Sequence, residues 1–204
     1  MKISINKKQA ELALLLGMAI SVFCAGFCGF AEDYDNITDT VFRLHILANS
    51  DSEADQALKL KVRDAVLEKS AYLFENNASA EESARAAEEH LDEIRQTAEQ
   101  VISENGSDYS VNCEVTEMYF DNRVYGTVTM PAGEYTALRI TIGEAQGKNW
   151  WCVMFPPLCL PAAEKKQELS DVLSDGGQAL VESKPKYEIR FWLIEKIEQL
   201  RKKA

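Results

Sequence analysis

The spacing of hydrophobic residues changes near Tyr109, and this change restricts the fold more than any other feature of the sequence. From Leu58 to Val101 the apolar residues recur every three to four positions, as on one face of an amphipathic helix. From Val111 onward they alternate with polar residues, as along a half-buried strand. Helices and strands thus fall into separate runs, which predicts an α+β fold with an antiparallel sheet of about 3–5 strands packed against two or more helices.

The stretch "FRLHILANSDSEADQALKLKVRDAVLEKS", residues 42–70, predicts how the domain begins. Residues Val41–Ala48 are short, apolar and followed by the turn-forming "NSDS", which indicates a strand. Histidine is rare in this chain, and the strand contains one of its two copies, His45. A helix follows at once, because serine and acid have capping-box spacing in two registers, Ser50 with Glu53 and Ser52 with Asp55.

The remaining elements follow from the same signals. A second helix is predicted to begin at Ser79, where Glu82 completes capping-box spacing, and to end at the "NG" turn of residues 105–106, with His90 exposed on it. "TALRITIG" and "WWCVMF" are predicted strands, joined by a hairpin connection. Further segments are a strand near Tyr125 to Met130, a polar helix from Ala162 to about Leu173 and a last helix from about Tyr187 to Lys203.

The N-terminus has the pattern of an export signal. Three lysines precede an almost uncharged apolar run from Leu12 to Phe30, and small residues allow cleavage just after Ala31. The run is also close to the roughly 20 residues that span a bilayer, so an uncleaved anchor over residues 12–30 stays open. The predicted organisation is a signal peptide or membrane anchor at 1–31, a linker at 32–40 and one α+β signalling domain at 41–204.

The exported part is strongly acidic. Removal of residues 1–31 takes away three basic residues and one acidic residue, which leaves 19 basic against 32 acidic residues. An acidic excess of this size argues against nucleic acid and against an anionic lipid surface as partners. We therefore expect membrane contact only through the N-terminal segment, although the charge does not identify a partner.

Three cysteines remain after residue 31, and an odd number leaves at most one disulfide and one free thiol in an oxidising compartment. Their spacing does not match a zinc site, and neither histidine is close to a cysteine in the sequence. Buried structural thiols and a single disulfide stay open as alternatives. The candidate disulfide joins Cys152 to Cys159 across a short loop, with Cys113 free and buried.

The sequence lacks the motifs of an enzyme. It has no GxSxG, no HExxH, no glycine-rich phosphate loop and no EF-hand loop. His45 with Cys152 or Cys159 is the only plausible nucleophile and base pair, but strand alternation places His45 beside Arg43 on what is predicted to be a polar face. We predict no catalytic residues, no metal site, no cofactor and no small-molecule substrate.

The segment "GKNWWCVMFPPLC", residues 147–159, places apolar residues on both faces of a strand. Trp150, Cys152 and Met154 would point to one side, and Trp151, Val153 and Phe155 to the other, so both faces need cover. One tryptophan is predicted to be core and the other an exposed anchor, because aromatic residues concentrate at binding hot spots. Core packing of both indoles is the alternative.

Three segments carry a family resemblance. "RLHILANSDSEADQALKLKVRDAVL" at 43–67, "GKNWWCVMFPPLC" at 147–159 and "YEIRFWLIE" near the end together resemble the stage II sporulation protein R family of endospore-forming bacteria. The resemblance covers most of the exported domain in the same order, and the export signal is consistent with it.

The resemblance implies a signalling protein that is made in the forespore and secreted into the space between the two sporulation membranes. There it would activate a membrane-embedded aspartic protease of the mother cell, which removes the inhibitory pro-sequence of the sigma-E precursor. Nothing in the resemblance assigns catalytic residues. The candidate partner-binding residues are a polar cluster and the tryptophan segment: Arg43, His45, Asn49, Asp51, Lys148, Asn149, Trp150 and Trp151.

Two hypotheses from other classes compete with this interpretation. The first is a secreted cell-wall hydrolase, which the missing motifs disfavour. The second is a passive envelope-binding module that has no signalling output.

Overall fold

The computed structural model describes residues 7–74, 77–125 and 128–156, together with Leu173, Gly177, Gln178 and Val181. Five helices of the described chain have bounds α1 Lys7–Thr40, α2 Glu53–Lys69, α3 Ala71–Phe74, α4 Ala80–Glu89 and α5 Leu91–Glu104. Six strands have bounds β1 Phe42–Leu47, β2 Val111–Phe120, β3 Arg123–Tyr125, β4 Val128–Met130, β5 Gly133–Ile142 and β6 Asn149–Phe155. The predicted α+β class is confirmed.

The main sheet is mixed rather than purely antiparallel. Its four strands lie in the order β2-β5-β1-β6, and β3 with β4 forms a separate two-stranded sheet. β5 pairs antiparallel with β2, and β6 antiparallel with β1, but β1 and β5 are parallel. The prediction of an antiparallel sheet was wrong for this central pair, and the predicted hairpin between β5 and β6 was wrong because β1 lies between them. Parallel strands need a long crossover, and the four helices between β1 and β2 provide the chain length for it.

Serine caps begin two of the helices, as predicted. The Ser52 Oγ accepts a hydrogen bond from the Asp55 amide at 3.1 Å, which selects the second of the two registers. The Ser79 Oγ accepts from the Glu82 amide at 3.1 Å. Each bond satisfies a backbone donor that has no partner within its helix.

The second predicted helix is two helices, because the chain breaks at His90. The His90 Nδ1 lies 2.9 Å from the carbonyl oxygen of Ala86, and the residue is partly buried. The prediction of an exposed His90 inside one helix was therefore wrong. The helix end at Gly106 is as predicted, since this glycine has φ +77° and the Ser107 amide donates to the Ile102 carbonyl at 3.1 Å.

α1 continues through residues 32–40, where the sequence predicted a linker. Its last turns pack on the domain through Tyr34 and Ile37, which are buried. Among the helices that the structure describes, none combines the length and the apolarity that crossing a membrane requires.

The main sheet buries both of its faces. On one face Leu44, Ile46 and Ile140 pack with the apolar sides of α2, α4 and α5. On the other face, Val153 and Tyr135 pack with the end of α1 and with Met130 of β4. Leu173 and Val181 also contribute to this second core. The predicted helices at 162–173 and 187–203 lie outside the described residues, apart from Leu173.

Candidate functional site

The turn between β1 and α2 holds the loop between β5 and β6, and we call this region the junction network: Asn49, Ser50, Asp51, Asp55 and residues 143–148. The Asn49 Oδ1 accepts from the Glu144 amide at 3.0 Å, and its carbonyl oxygen accepts from the Gln146 amide at 3.0 Å. A single asparagine therefore fixes both the start and the middle of the loop.

Asp55 is the buried centre of the junction network. Its Oδ2 accepts from the Ser50 Oγ at 2.5 Å and from the Asn49 Nδ2 at 2.9 Å. These hydrogen bonds, with smaller contributions from Tyr109 and Ser52, lower the pKa of Asp55 below its ordinary value. Because Asp55 orients Asn49, the carboxylate positions the loop indirectly.

The end of the loop is held by two further polar side chains. The Asp51 Oδ1 accepts from the Lys148 amide at 2.7 Å. The buried Lys59 donates from its Nζ to the Lys148 carbonyl oxygen and to the Gln56 Oε1, both at 2.7 Å. Burial lowers the pKa of Lys59. The backbone of Lys148 is thus bonded on both sides, while its own side chain is exposed.

Two glycines allow the loop to approach the turn after β1 closely. Gly143 has φ +56°, and a Cβ there would lie 2.3 Å from the Asn49 Oδ1. A Cβ at Gly147 would lie 2.2 Å from the Ser50 carbonyl oxygen. Neither position has room for a side chain, which explains the glycines of "GEAQGKN".

The second polar group lies on the other face of the sheet, and we call it the cation–aromatic cluster: Arg43, His45, Phe120, Arg123, Tyr125, Tyr135 and Trp151. Alternation correctly placed Arg43 and His45 on one face of β1. That face was predicted to be polar, yet Arg43 is 0% and His45 3% exposed. The prediction was wrong because the end of α1 and strand β4 supply the second core that covers this face.

The guanidinium of Arg43 lies among aromatic rings. Its central carbon is 4.0 Å from the centroid of Phe120 and 4.7 Å from that of Tyr135. The Nη2 donates to the Tyr125 hydroxyl at 2.7 Å. Burial lowers the pKa of Arg43, and the nearby Tyr125 and Tyr135 partly oppose this effect. The ring faces offer the cation some electrostatic compensation.

The imidazole of His45 stacks on the indole of Trp151, with ring centroids 4.0 Å apart and an angle of 13° between the planes. Burial lowers the pKa of His45 to about 4, a decrease that Asn149 opposes and Arg139 increases. His45 is consequently neutral at pH 7. It acts as an aromatic core residue more than as a base.

Neither tryptophan of the pair is fully exposed, in contrast to the predicted exposed anchor. Trp150 packs against the first core, and the guanidinium carbon of Arg63 lies 4.3 Å from its ring centroid. Trp151 packs against the second core and Phe120. The prediction that the two indoles point to opposite faces of the strand is confirmed, but both are half-buried.

The eight candidate contact residues thus fall into separate places. Arg43, His45 and Trp151 share the cation–aromatic cluster, and Trp150 lies on the opposite face. Asn49, Asp51 and Lys148 belong to the junction network, where Asp51 and Lys148 are exposed. Asn149 is also exposed, but it is the first residue of β6 and pairs with Leu47 of β1. The expected single polar cluster is therefore divided, since strand β1 separates its buried members from its loop members.

The two cysteines of the main sheet differ in oxidation state. Cys152 is disulfide-bonded, while Cys113 is free. Cys113 is only partly buried, yet burial raises the pKa of its thiol to about 12, which makes it a poor nucleophile. The predicted partner of Cys152, Cys159, lies outside the described residues, so this pairing stays a prediction. Within the described ranges, no group of three or more His, Cys, Asp or Glu side chains could hold a metal ion.

Both polar regions lie inside a segment that matches a known family. A family model described as stage II sporulation protein R matches residues 38–165. The chain belongs to the stage II sporulation protein R family. It is also similar to stage II sporulation protein R of Bacillus subtilis (strain 168), with 36% identity over 185 residues, which cover 80% of this chain and 83% of that protein. No solved structure matches the chain.

Family membership supports a role in sporulation and confirms the resemblance seen in the sequence. Sequence reasoning missed several residues of the two regions, including Lys59, Phe120 and Tyr125. Lys59 lies one position from Leu58 on α2, and its burial was missed because lysine side chains are rarely fully buried. No local signal marks Phe120 or Tyr125, because their roles depend on contacts with a strand about 80 residues away in the sequence.

Proposed function

We propose that this chain is an exported sporulation signalling protein that activates a membrane-embedded aspartic protease and so triggers processing of pro-sigma-E in the mother cell. The observation that carries the proposal is the family match over residues 38–165, which contains both polar regions. The export pattern of the first 31 residues supports secretion from the forespore into the intermembrane space.

The position of the junction network suits contact across that space. α1 leads directly into the start of β1, whereas the junction network lies at the end of β1. A six-residue strand spans roughly 20 Å. A chain held at the forespore membrane through its N-terminus would thus present Asp51, Lys148 and Asn149 on the far side of the domain.

The junction network also has the rigidity that a ligand surface needs. An activator shifts a protease between states only if it binds one state better than the other. Loop 143–148 is bonded to the turn after β1 and to α2 before any partner arrives, so little ordering entropy would be lost on binding. We propose that its exposed side chains, with the half-buried edge of Trp150, contact the protease.

Reconstitution tests the proposal directly. The full-length chain is added to vesicles that contain the protease, with the pro-sigma-E substrate, and cleavage is followed over time. We expect cleavage to depend on the folded chain and to be absent with heat-denatured chain. Equal cleavage with and without the chain would contradict activation. Release of fragments from purified cell wall would instead favour the hydrolase hypothesis.

A further inference from the structure

Arg43 is a buried cation whose hydrogen-bonding capacity is mostly unused. A guanidinium has five N–H donors. In Arg43 the Nη2 donates to Tyr125, but the buried Nε and Nη1 have no hydrogen-bond partner. Buried polar groups in folded proteins are nearly always bonded, so two unpaired donors on one charged group indicate a missing acceptor.

The missing acceptor is anionic by the same reasoning. Arg43 takes part in no ion pair within the described part of the chain. The sequence has 33 acidic residues against 22 basic ones, so an acid would be easy to provide. Burial of a charge without a counter-charge is costly. An apolar side chain at this position would avoid that cost.

A second cation with an unused donor lies nearby. The Nε of Arg123 is buried and without a partner, and its guanidinium carbon lies 5.4 Å from the centroid of Trp151. Arg123 is close enough to Arg43 to interact with it electrostatically. Neither ring nitrogen of His45 lies in hydrogen-bond geometry with a partner, although Asn149 is near enough to raise its pKa. The neutral ring adds one further N–H donor. Unused donors therefore converge on one face of the sheet from β1 and β3.

We propose that Arg43 and Arg123 form a binding site for a carboxylate, provided by an acidic peptide side chain or by a small free carboxylate. The Tyr125 hydroxyl is the neutral acceptor that the carboxylate replaces at the Nη2 of Arg43. A charge-assisted hydrogen bond is about twice as strong as a neutral one, which favours the exchange. The aromatic rings of Phe120, Tyr135 and Trp151 surround this site and favour a monoanion. They would solvate the second charge of a phosphate dianion poorly.

The stability of two variants tests whether Arg43 binds a ligand or stabilises the fold. Without ligand, we expect Arg43→Met to melt at or above the temperature of the parent full-length chain, because it removes a buried charge that has no ion-pair partner in the described chain. The matched control is Arg63→Met, which removes a cation stacked on Trp150 on the opposite face. A melting temperature of Arg43→Met far below that of Arg63→Met would overturn the proposal, since Arg43 would then stabilise the fold.

Titration tests binding itself. The Nε–H resonance of Arg43, assigned by its loss in Arg43→Met, is followed in the full-length chain with sodium acetate and with the peptide acetyl-Gly-Glu-Gly-amide. Sodium chloride and the Gln analogue of the peptide are the controls. We expect saturable shifts with the carboxylates only, and about tenfold or more weaker binding in Arg123→Met.

The two probes distinguish the sources of the carboxylate. Binding of both supports an acidic side chain of a peptide, and binding of acetate alone supports a small free carboxylate. No saturable shift with either, or equal shifts with chloride, overturns the site. The experiment contains no protease, so its failure leaves the proposed function untouched.

Discussion

The junction network and the cation–aromatic cluster both include residues from one short stretch, residues 43–55, yet they differ in how far their polar side chains are hydrogen-bonded. In the junction network the Asp55 carboxylate and the Asn49 amide bond to side chains and to the loop backbone. In the cation–aromatic cluster Arg43 and His45 are more deeply buried, yet four of their nitrogen atoms have no hydrogen-bond partner.

The difference separates polar residues that build the fold from those that are available to something else. A saturated buried network rigidifies the structure around it. A buried cation with unused donors contributes little to the fold and has capacity for a ligand. The contrast predicts that substitutions in the junction network mainly reduce stability, whereas those at Arg43 mainly affect binding.

The largest effect on stability should come from Asp55→Ala. The substitution removes the acceptor of the Asn49 and Ser50 side chains and frees the Asn49 amide that holds the loop. We expect the free energy of unfolding to fall by about 3 kcal/mol, measured by urea denaturation. The control is Asp51→Ala, which removes one exposed hydrogen bond and should cost about 1 kcal/mol. Equal losses would show that Asp55 is not the centre of the network.

The same variant has a pH signature. Hydrogen bonds hold the pKa of Asp55 below its unfolded value, so its contribution is present above about pH 4 and is lost as the pH falls through the folded pKa. The difference in stability between the parent and Asp55→Ala should therefore shrink in acid. A difference that stays constant down to pH 2 would contradict this account.

The next largest effect tests whether the loop is held by close approach. In Gly147→Ala the new Cβ would meet the Ser50 carbonyl oxygen, a backbone atom, so the loop has to move away from β1. We expect a loss of roughly 2–3 kcal/mol. Gly106→Ala is the control, because its φ is +77° but nothing lies within 4 Å of the new Cβ. It should cost only about 1 kcal/mol, the penalty for its backbone conformation.

The cation–aromatic cluster has its own pH dependence, of intermediate size. The folded pKa of His45 is about 4 and the ordinary value is 6.5. Between these values the unfolded chain binds more protons, so stability is complete above pH 6.5 and falls as the pH falls toward 4. We expect the loss to be about 2 kcal/mol, a figure that allows for partial screening by solvent.

Substitution identifies the histidine responsible. His45→Phe retains an aromatic ring against Trp151 and should remove most of the decline in thermal stability between pH 6.5 and 4. His90→Gln, at the other histidine, should leave the decline in place. If the decline with pH persists in His45→Phe and disappears in His90→Gln, His45 is not the buried group that titrates.

These two regions also show what the sequence could and could not predict. Local sequence patterns predicted β1, the Ser52 and Ser79 caps and the helix end at Gly106, because each of these features depends on residues that are close together in the sequence. Alternation placed Arg43 beside His45 on one face. It could not show that the face is buried, because the covering residues Phe120 and Tyr135 are brought there by the parallel pairing of β1 with β5.

The smallest effect on stability is expected at the exposed rim of the junction network, the side chains of Asp51 and Lys148. It distinguishes a role in partner contact from a role in the fold. Lys148 contributes to the network only through its backbone, which bonds to Asp51 and Lys59. Lys148→Ala should thus change the free energy of unfolding by less than about 0.5 kcal/mol. If the rim contacts the protease, the same variant should reduce protease activation in the vesicle assay, whereas Lys69→Ala on α2 should not. Equal activation by the two variants would remove the Lys148 side chain from the proposed contact surface, while the role of its backbone in the loop would stand.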